Sequence, residues 1–227
     1  MSSLYAPLAA LGLSVLGATP AFAQETIAIG TIRNEDITVV QRLLYPKKGR
    51  AEIGLHVGVM PFDAYTTTPN AALSYVQHLS ERGAFSVIAG VGYGLKTGTY
   101  RELESPTYGV APYAYRYLGS ALAGFEYSPI YAKMNMNGAR IIHFDVYFSA
   151  RAGATLEDSV IPGGAFSVAP TASPGIGARL FLGKVGALKV EIRDDLLLQY
   201  RNLTESFEFK QNANITLGLV VMSGRRK

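Results

Sequence analysis

Cysteine is absent from the 227-residue chain, which excludes a disulfide framework, a thiolate metal site and a cysteine nucleophile. Histidine is scarce: His56, His78 and His143 share no H-x-x-H or H-E-x-x-H spacing, so neither a metal nor any other cofactor is expected. Long apolar runs are missing as well. No internal segment approaches the ~18 apolar residues of a membrane helix, so any passage through a bilayer must be made by strands. Basic clusters are lacking too. The formal net charge is +4, yet lysine and arginine are scattered and the longest basic run is the terminal Gly224-Arg225-Arg226-Lys227. That distribution argues against nucleic acid as a partner. No linker-like stretch divides the chain.

The first 23 residues carry no charge, an apolar stretch from Leu8 to Val15, and Ala21-Phe22-Ala23 before Gln24. A hydrophobic core followed by A-x-A is the pattern of a signal peptide, so export is expected. Residues 24–49 then predict a periplasmic segment with a short helix. Asn34 suits its N-cap, Glu35 and Asp36 its first turn, and Pro46 with Gly49 its end. Ile37, Val40 and Leu44 form one apolar stripe. The stripe fits a docking helix for an envelope-complex protein and equally a helix packed on its own barrel rim.

Ile141 to Leu156 carries the plainest pattern in the chain. Ile142, Phe144, Val146, Phe148, Ala150, Ala152, Ala154 and Leu156 are apolar, while His143, Asp145, Tyr147, Ser149, Arg151, Gly153 and Thr155 between them are polar or small. Successive strand residues face opposite sides, so one face is apolar and the other wet. Soluble strands run about 5–6 residues, whereas a tilted membrane-spanning strand needs about 9–11. This length predicts a wall of a transmembrane β-barrel. Residues 51–60, 84–94, 120–128, 175–182, 187–199 and 213–222 repeat the period of two, and 71–80 repeats it less cleanly. The expectation is an all-β fold: an eight-stranded antiparallel barrel over 50–223, with a basic tail at 224–227. An even strand number returns both ends to the periplasm, where turns are short. The predicted periplasmic turns are 81–83, 129–138 and 183–186; the predicted outer loops are 61–70, 96–117, 157–174 and 200–212.

Four ordered segments carry a family resemblance: "EDITVVQRLLYPKKGRAEIGLHVGV", "SPIYAKMN", "IIHFDVYFSARAG" and "EIRDD". Together they resemble the outer-membrane β-barrel family of myxobacteria and related deltaproteobacteria, across about Glu35 to Met222. The resemblance implies an outer-membrane barrel, mostly without assigned activity, with some relatives in gliding-motility envelope machinery. It also implies outer-membrane lipid and the barrel-insertion machinery as partners. The chain departs from barrel habit at its end, where Val221-Met222 and a basic tail replace a terminal aromatic residue.

Period two assigns the faces. Phe144, Val146, Phe148, Leu188, Val190 and Ile192 are expected against lipid. Glu52, His56, Glu126, His143, Asp145, Arg151, Arg179, Lys189, Glu191, Arg193 and Asp195 are expected as a polar lumen network. Its four basic and five acidic members lack the dominant sign of an ion-selective pore, and eight strands leave room only for side chains. A closed, non-enzymatic structural barrel is therefore expected, ahead of a small pore. A lipid-modifying enzyme built on His143, Asp145 and Ser149 is the third reading. Ser149 lies too far along the strand to bond His143 directly, and the site would sit away from the outer leaflet. A lipocalin-like carrier would invert the faces and expose Lys189, Glu191 and Arg193. Gly90, Gly92 and Gly94 alternate within a strand and precede no helix, so they are expected to admit bulky neighbours or curvature. Tyr100, Tyr108 and Tyr113 in the predicted 96–117 loop are candidate recognition residues, while Tyr115 and Tyr117 beside the next strand suit an aromatic girdle.

Overall fold

The computed structural model describes residues 45–112, 114–136, 140–160, 166–201 and 206–223. The expected signal peptide, the helix capped by Asn34, Tyr113 and the tail at 224–227 lie outside the described residues. Nine strands and one short helix follow in order: β1 (Ala51–Met60), β2 (Thr66–His78), β3 (Gly83–Gly92), β4 (Leu95–Lys96), α1 (Gly98–Glu104), β5 (Tyr115–Met136), β6 (Arg140–Ser159), β7 (Phe166–Phe181), β8 (Gly186–Arg201) and β9 (Ser206–Met222). Every neighbouring pair is antiparallel, and β1 pairs with both β2 and β9. The sheet therefore closes into a ring of eight strands, with the two-residue β4 as an appendage on β2. Closure leaves no free edge where the ring is complete. Because Glu52 pairs with Met222, the described chain enters and leaves at one rim, here the terminal rim; the opposite one is the far rim.

The alternation read from sequence is the alternation seen. In β1, Ile53, Leu55 and Val57 are exposed while Glu52 and His56 are buried; in β9, Ile215, Leu217, Leu219 and Val221 are exposed while Asn214 and Thr216 are buried. Phe148, Val190 and Ile192 face outward and exposed, and Phe144, Val146 and Leu188 face outward and half-buried. An apolar outside around a charged, hydrogen-bonded inside is the arrangement of a transmembrane β-barrel.

The strands run past their expected ends. The predicted turn at 129–138 is strand up to Met136, because Pro129 sits in a bulge. Ser128 and Pro129 together oppose Tyr147 between the pairs Tyr127–Phe148 and Ile130–Val146, and a bulge tolerates the missing N–H. The predicted loop 157–174 is strand to Ser159 and again from Phe166. There Val168, Pro170, Ala172 and Pro174 continue the outward row. Likewise, 200–212 is β8 to Arg201 and β9 from Ser206, and 61–70 shrinks to 61–65 because β2 begins at Thr66. Prolines and polar residues end a pattern on paper, yet these outward positions accept them, and the β7–β8 ladder skips Ser173 and Pro174.

The far rim is consequently uneven. β5 to β9 rise beyond the ends of β1 and β3, and the connection between β3 and β5 fills part of the step. Thr97 caps α1 by accepting the Tyr100 N–H at 3.3 Å. Tyr100 packs with Ala114, Val160 and Tyr65 in a small apolar core of its own.

Candidate functional site

All eleven residues expected in the lumen are inward-facing and buried. Arg179 of β7 sits at the centre with no exposed surface. Its Nη2 donates to Glu126 Oε2 at 3.0 Å and its Nη1 to Asp145 Oδ2 at 3.1 Å. Its Nε lies 3.0 Å from Glu52 Oε2, an ion pair whose N–H points off the hydrogen-bond line. Lys189 reaches Glu126 at 2.7 Å and Glu52 at 3.4 Å. Arg151 grips both oxygens of Glu191, meets Glu126 at 2.9 Å and donates to Ser86 at 2.9 Å.

Sequence reading missed two members of this cluster. Lys47, just before β1, reaches up through the terminal rim and donates to Asp145. Burial pulls the Lys47 ammonium below the usual lysine range, and Asp145 offsets this in part. Tyr147 donates to Glu191 at 2.7 Å and lays its ring beneath Arg179 and Lys189. The central cluster thus sets four cations (Lys47, Arg151, Arg179, Lys189) against four carboxylates (Glu52, Glu126, Asp145, Glu191). Charges held this far from water are tolerable only when paired and hydrogen-bonded. His78 adds a contact to Glu52 at 3.3 Å, and His56 meets Ser74 at 2.7 Å. No spacing on one strand foretells such meetings, since barrel closure brings the partners together.

Apolar and strap residues gather at the terminal rim. Phe181, Ala187, Val220 and Met222 form a cluster joined by Tyr45 and Tyr131, with Tyr45 stacked on Phe181 at 5.1 Å. Glu81 accepts the Lys47 N–H at 2.8 Å, and Arg50 donates to the carbonyls of Ser223 and Lys184 at 2.7 and 2.9 Å. These bonds tie residues 45–50 across the opening.

Beyond the central cluster toward the far rim, the polar contacts thin out. Arg193 pairs with Asp195 at 3.3 Å, Ser173 also donates to Asp195, and Asn70 donates to Asn214 at 3.2 Å. Arg193 Nε and Nη1, Ser149 Oγ, Asn212 Oδ1 and Asn214 Nδ2 are buried without a hydrogen-bond partner among the described residues. Arg193 and Asp195 therefore form a separate pair and not part of the central cluster.

The His143, Asp145 and Ser149 constellation is not assembled. His143 engages the Tyr131 hydroxyl at 2.9 Å near the terminal rim, Asp145 is held by Lys47 and Arg179, and the Ser149 hydroxyl meets neither. Among the described residues no group of three or more His, Asp or Glu side chains has the geometry of a metal site.

The tyrosines divide. Tyr108 is exposed, while Tyr100 is 1% exposed inside the loop's own core and offers no contact surface. Tyr115 and Tyr117 point into the lumen and are buried, not outward in a girdle. Leu118 forms a bulge between the pairs Tyr117–Glu157 and Gly119–Leu156, and the Tyr117 ring lies over Gly90 and Gly92. A β-carbon on Gly92 would stand 3.1 Å from that ring.

No protein-family profile matches the sequence, and no curated protein matches it. Solved structures resemble it in fold. The outer membrane protein OprG from Pseudomonas aeruginosa aligns at 10% identity over 81% of this chain and 100% of its own, with a TM-score of 0.48. Neisserial surface protein A aligns at 11% identity over 76% and 94%, with a TM-score of 0.44. Ail, the attachment invasion locus protein of Yersinia pestis, aligns at 11% identity over 78% and 99%, with a TM-score of 0.43. On its own geometry, with an apolar wall, a closed ring and a paired-charge interior, this chain is an eight-stranded β-barrel of the outer-membrane type.

Proposed function

We propose that this protein is a non-enzymatic component of a bacterial outer membrane, a structural or complex-forming barrel whose lumen stays closed. The carrying observation is the Arg179 cluster, in which one guanidinium on β7 contacts carboxylates from β1, β5 and β6. Moving any member aside strands a buried charge, which typically costs about 3–5 kcal/mol. Both described ends lie at one rim, where the turns are short, which supports a periplasmic facing for that rim, and envelope-complex proteins are the partners proposed for the 24–49 segment. The resemblance of four segments to the myxobacterial barrel family supports the same role, with the barrel-insertion machinery and outer-membrane lipid as the proposed partners. Purified protein in a planar bilayer should give no reproducible step conductance. Steady ion-selective steps, lost on Arg151→Ala in a barrel that remains folded, would replace this reading with a pore.

A further inference from the structure

The ring is complete only to the level where Val59 of β1 pairs with Ile215 of β9. Above it β9 continues for nine residues, Ser206 to Asn214, bonded to β8 on one side and, among the described residues, to no strand on the other. The 61–65 connection crosses this gap. Among the described residues one ion pair ties it to β9, with Lys210 Nζ 2.7 Å from Asp63 Oδ2, while Thr97 holds its other end, donating its N–H to the Tyr65 carbonyl at 3.0 Å and its hydroxyl to the Ala64 carbonyl at 2.9 Å. Asp63 also shapes the connection, accepting the Tyr65 N–H at 2.9 Å and the Thr66 hydroxyl at 3.2 Å.

Two cavities adjoin the gap. One, about 620 Å³, is a crevice on the outer wall among Pro174, Ile176, Ile192 and Ala213, at the far edge of the lipid-facing surface. The other, about 250 Å³, lies behind the connection against the inward-facing Tyr115, Gln199 and Lys210, and Tyr65 also lines it. Phe62 and Gln211 line both, and Phe62 is 74% exposed, with little packing to hold it. The outer crevice and the half-open inner chamber thus adjoin at two residues, and among the described residues no ladder hydrogen bonds join the 61–65 connection to β9 there.

We propose that the chamber is a binding site for a small phenol-like amphiphile that reaches it sideways from the outer leaflet, past Phe62, when the Asp63–Lys210 pair opens. The chamber lies below the roughly 300–1,000 Å³ of drug-sized sites, so a single substituted ring fits and a whole lipid does not. Tyr65, Tyr115 and Phe209 supply aromatic walls; Gln211 and Lys210 supply donors for one hydroxyl. A molecule of that chemistry concentrates at the membrane interface, and the crevice opens on the outward face of β7 and β8. The site is independent of the closed-lumen reading, because it lies on the far side of the Arg179 cluster.

The chain has no tryptophan and no cysteine, which permits a clean test in liposomes with 4-bromophenol as a quenching probe. A Tyr65→Trp reporter in the chamber should show saturable quenching, whereas an Ile53→Trp reporter on the lipid face should show only linear quenching from bilayer partition. In an Asp63→Cys, Lys210→Cys background, bridging the thiols with a short cleavable cross-linker should slow chamber quenching at least tenfold, and cleavage should restore it. Phe62→Ala should accelerate it. Heat-dependent gel mobility confirms folding of each variant, and Phe209→Trp provides a second reporter if Tyr65→Trp does not fold. Linear quenching alike at both sites would overturn the binding site. Saturable quenching at an unchanged rate after bridging would overturn the lateral route.

Discussion

The Tyr147 hydroxyl reaches Glu191 across the full width of β7, at 2.7 Å. Tyr147, Gly177 and Glu191 stand side by side in the ladder, and the side chain passes over β7 only because position 177 has no β-carbon. One added there would collide with the ring's Cζ and hydroxyl. Gly177→Ala should therefore swing Tyr147 off Glu191 and from beneath Arg179, destabilising the barrel by about 1–3 kcal/mol, as overpacking does. A double-mutant cycle with Tyr147→Leu, read from urea unfolding in liposomes, should be markedly less than additive. Full additivity would mean that the glycine matters for another reason.

Arginines in one lumen should not be equivalent. Arg151 contacts Glu126 and both oxygens of Glu191, whereas Arg193 has Asp195 as its ion-pair partner and two nitrogens without hydrogen bonds. Arg151→Ala should cost about 3–5 kcal/mol by leaving buried carboxylates under-compensated, and Arg193→Ala clearly less. Glu191→Gln in the Arg151→Ala background should recover part of the loss. Equal losses from the two arginines would contradict the separation of the central cluster from the Arg193–Asp195 pair.

The facing of the side chains was legible because a barrel writes its inside and outside at every second residue. Period two alone places Glu52, Asp145, Arg179 and Glu191 inward, and all four are buried in the closed ring. Partnerships were not legible. Arg179 meets Glu52 because β1 closes on β9, a relation 127 positions apart along the chain. Lys47 was hidden for another reason: it lies in a segment read as a helix stop, and its partner Asp145 is on β6. Strand ends were misread at Pro129, Pro170 and Pro174, where bulges and outward positions absorb what a central ladder would refuse. Tyr117 was read as girdle because the bulge at Leu118, which turns it inward, has no sequence signature.

The outward row on β6 makes a direct claim on the bilayer. Phe144, Val146 and Phe148 leave the barrel on the side opposite Asp145 and Tyr147, which are fully buried. Val146→Arg should cost about 2–4 kcal/mol near the bilayer midplane, and Ser149→Arg should fail differently, by overcrowding the lumen. Spin labels at 144, 146 and 148 should report lipid and not water. Water accessibility at all three would invert the register and remove the membrane assignment.

The Asp63–Lys210 pair should give a pH dependence of definite sign. Burial would by itself raise the Asp63 carboxyl, but Lys210 outweighs it, together with the Tyr65 N–H and Thr66 hydroxyl, and holds the group below its usual range. A carboxylate depressed in the folded state contributes stability above its unfolded pKa and loses that contribution as pH falls through the folded one. The pair is partly exposed, with side chains 22% and 12% accessible, so its share is discounted to about 1 kcal/mol. Wild type should exceed Asp63→Asn in stability by that margin near neutrality, and the margin should close only below about pH 4, the carboxylate range. High salt should narrow it at neutral pH. Hydrogen exchange at the Tyr65 amide gives the local readout: protection should fall on acidification in the wild type and stay flat in Asp63→Asn. A margin that widens as pH drops would show that the carboxylate is not held ionised by Lys210, and the fastening of the 61–65 connection would need another cause.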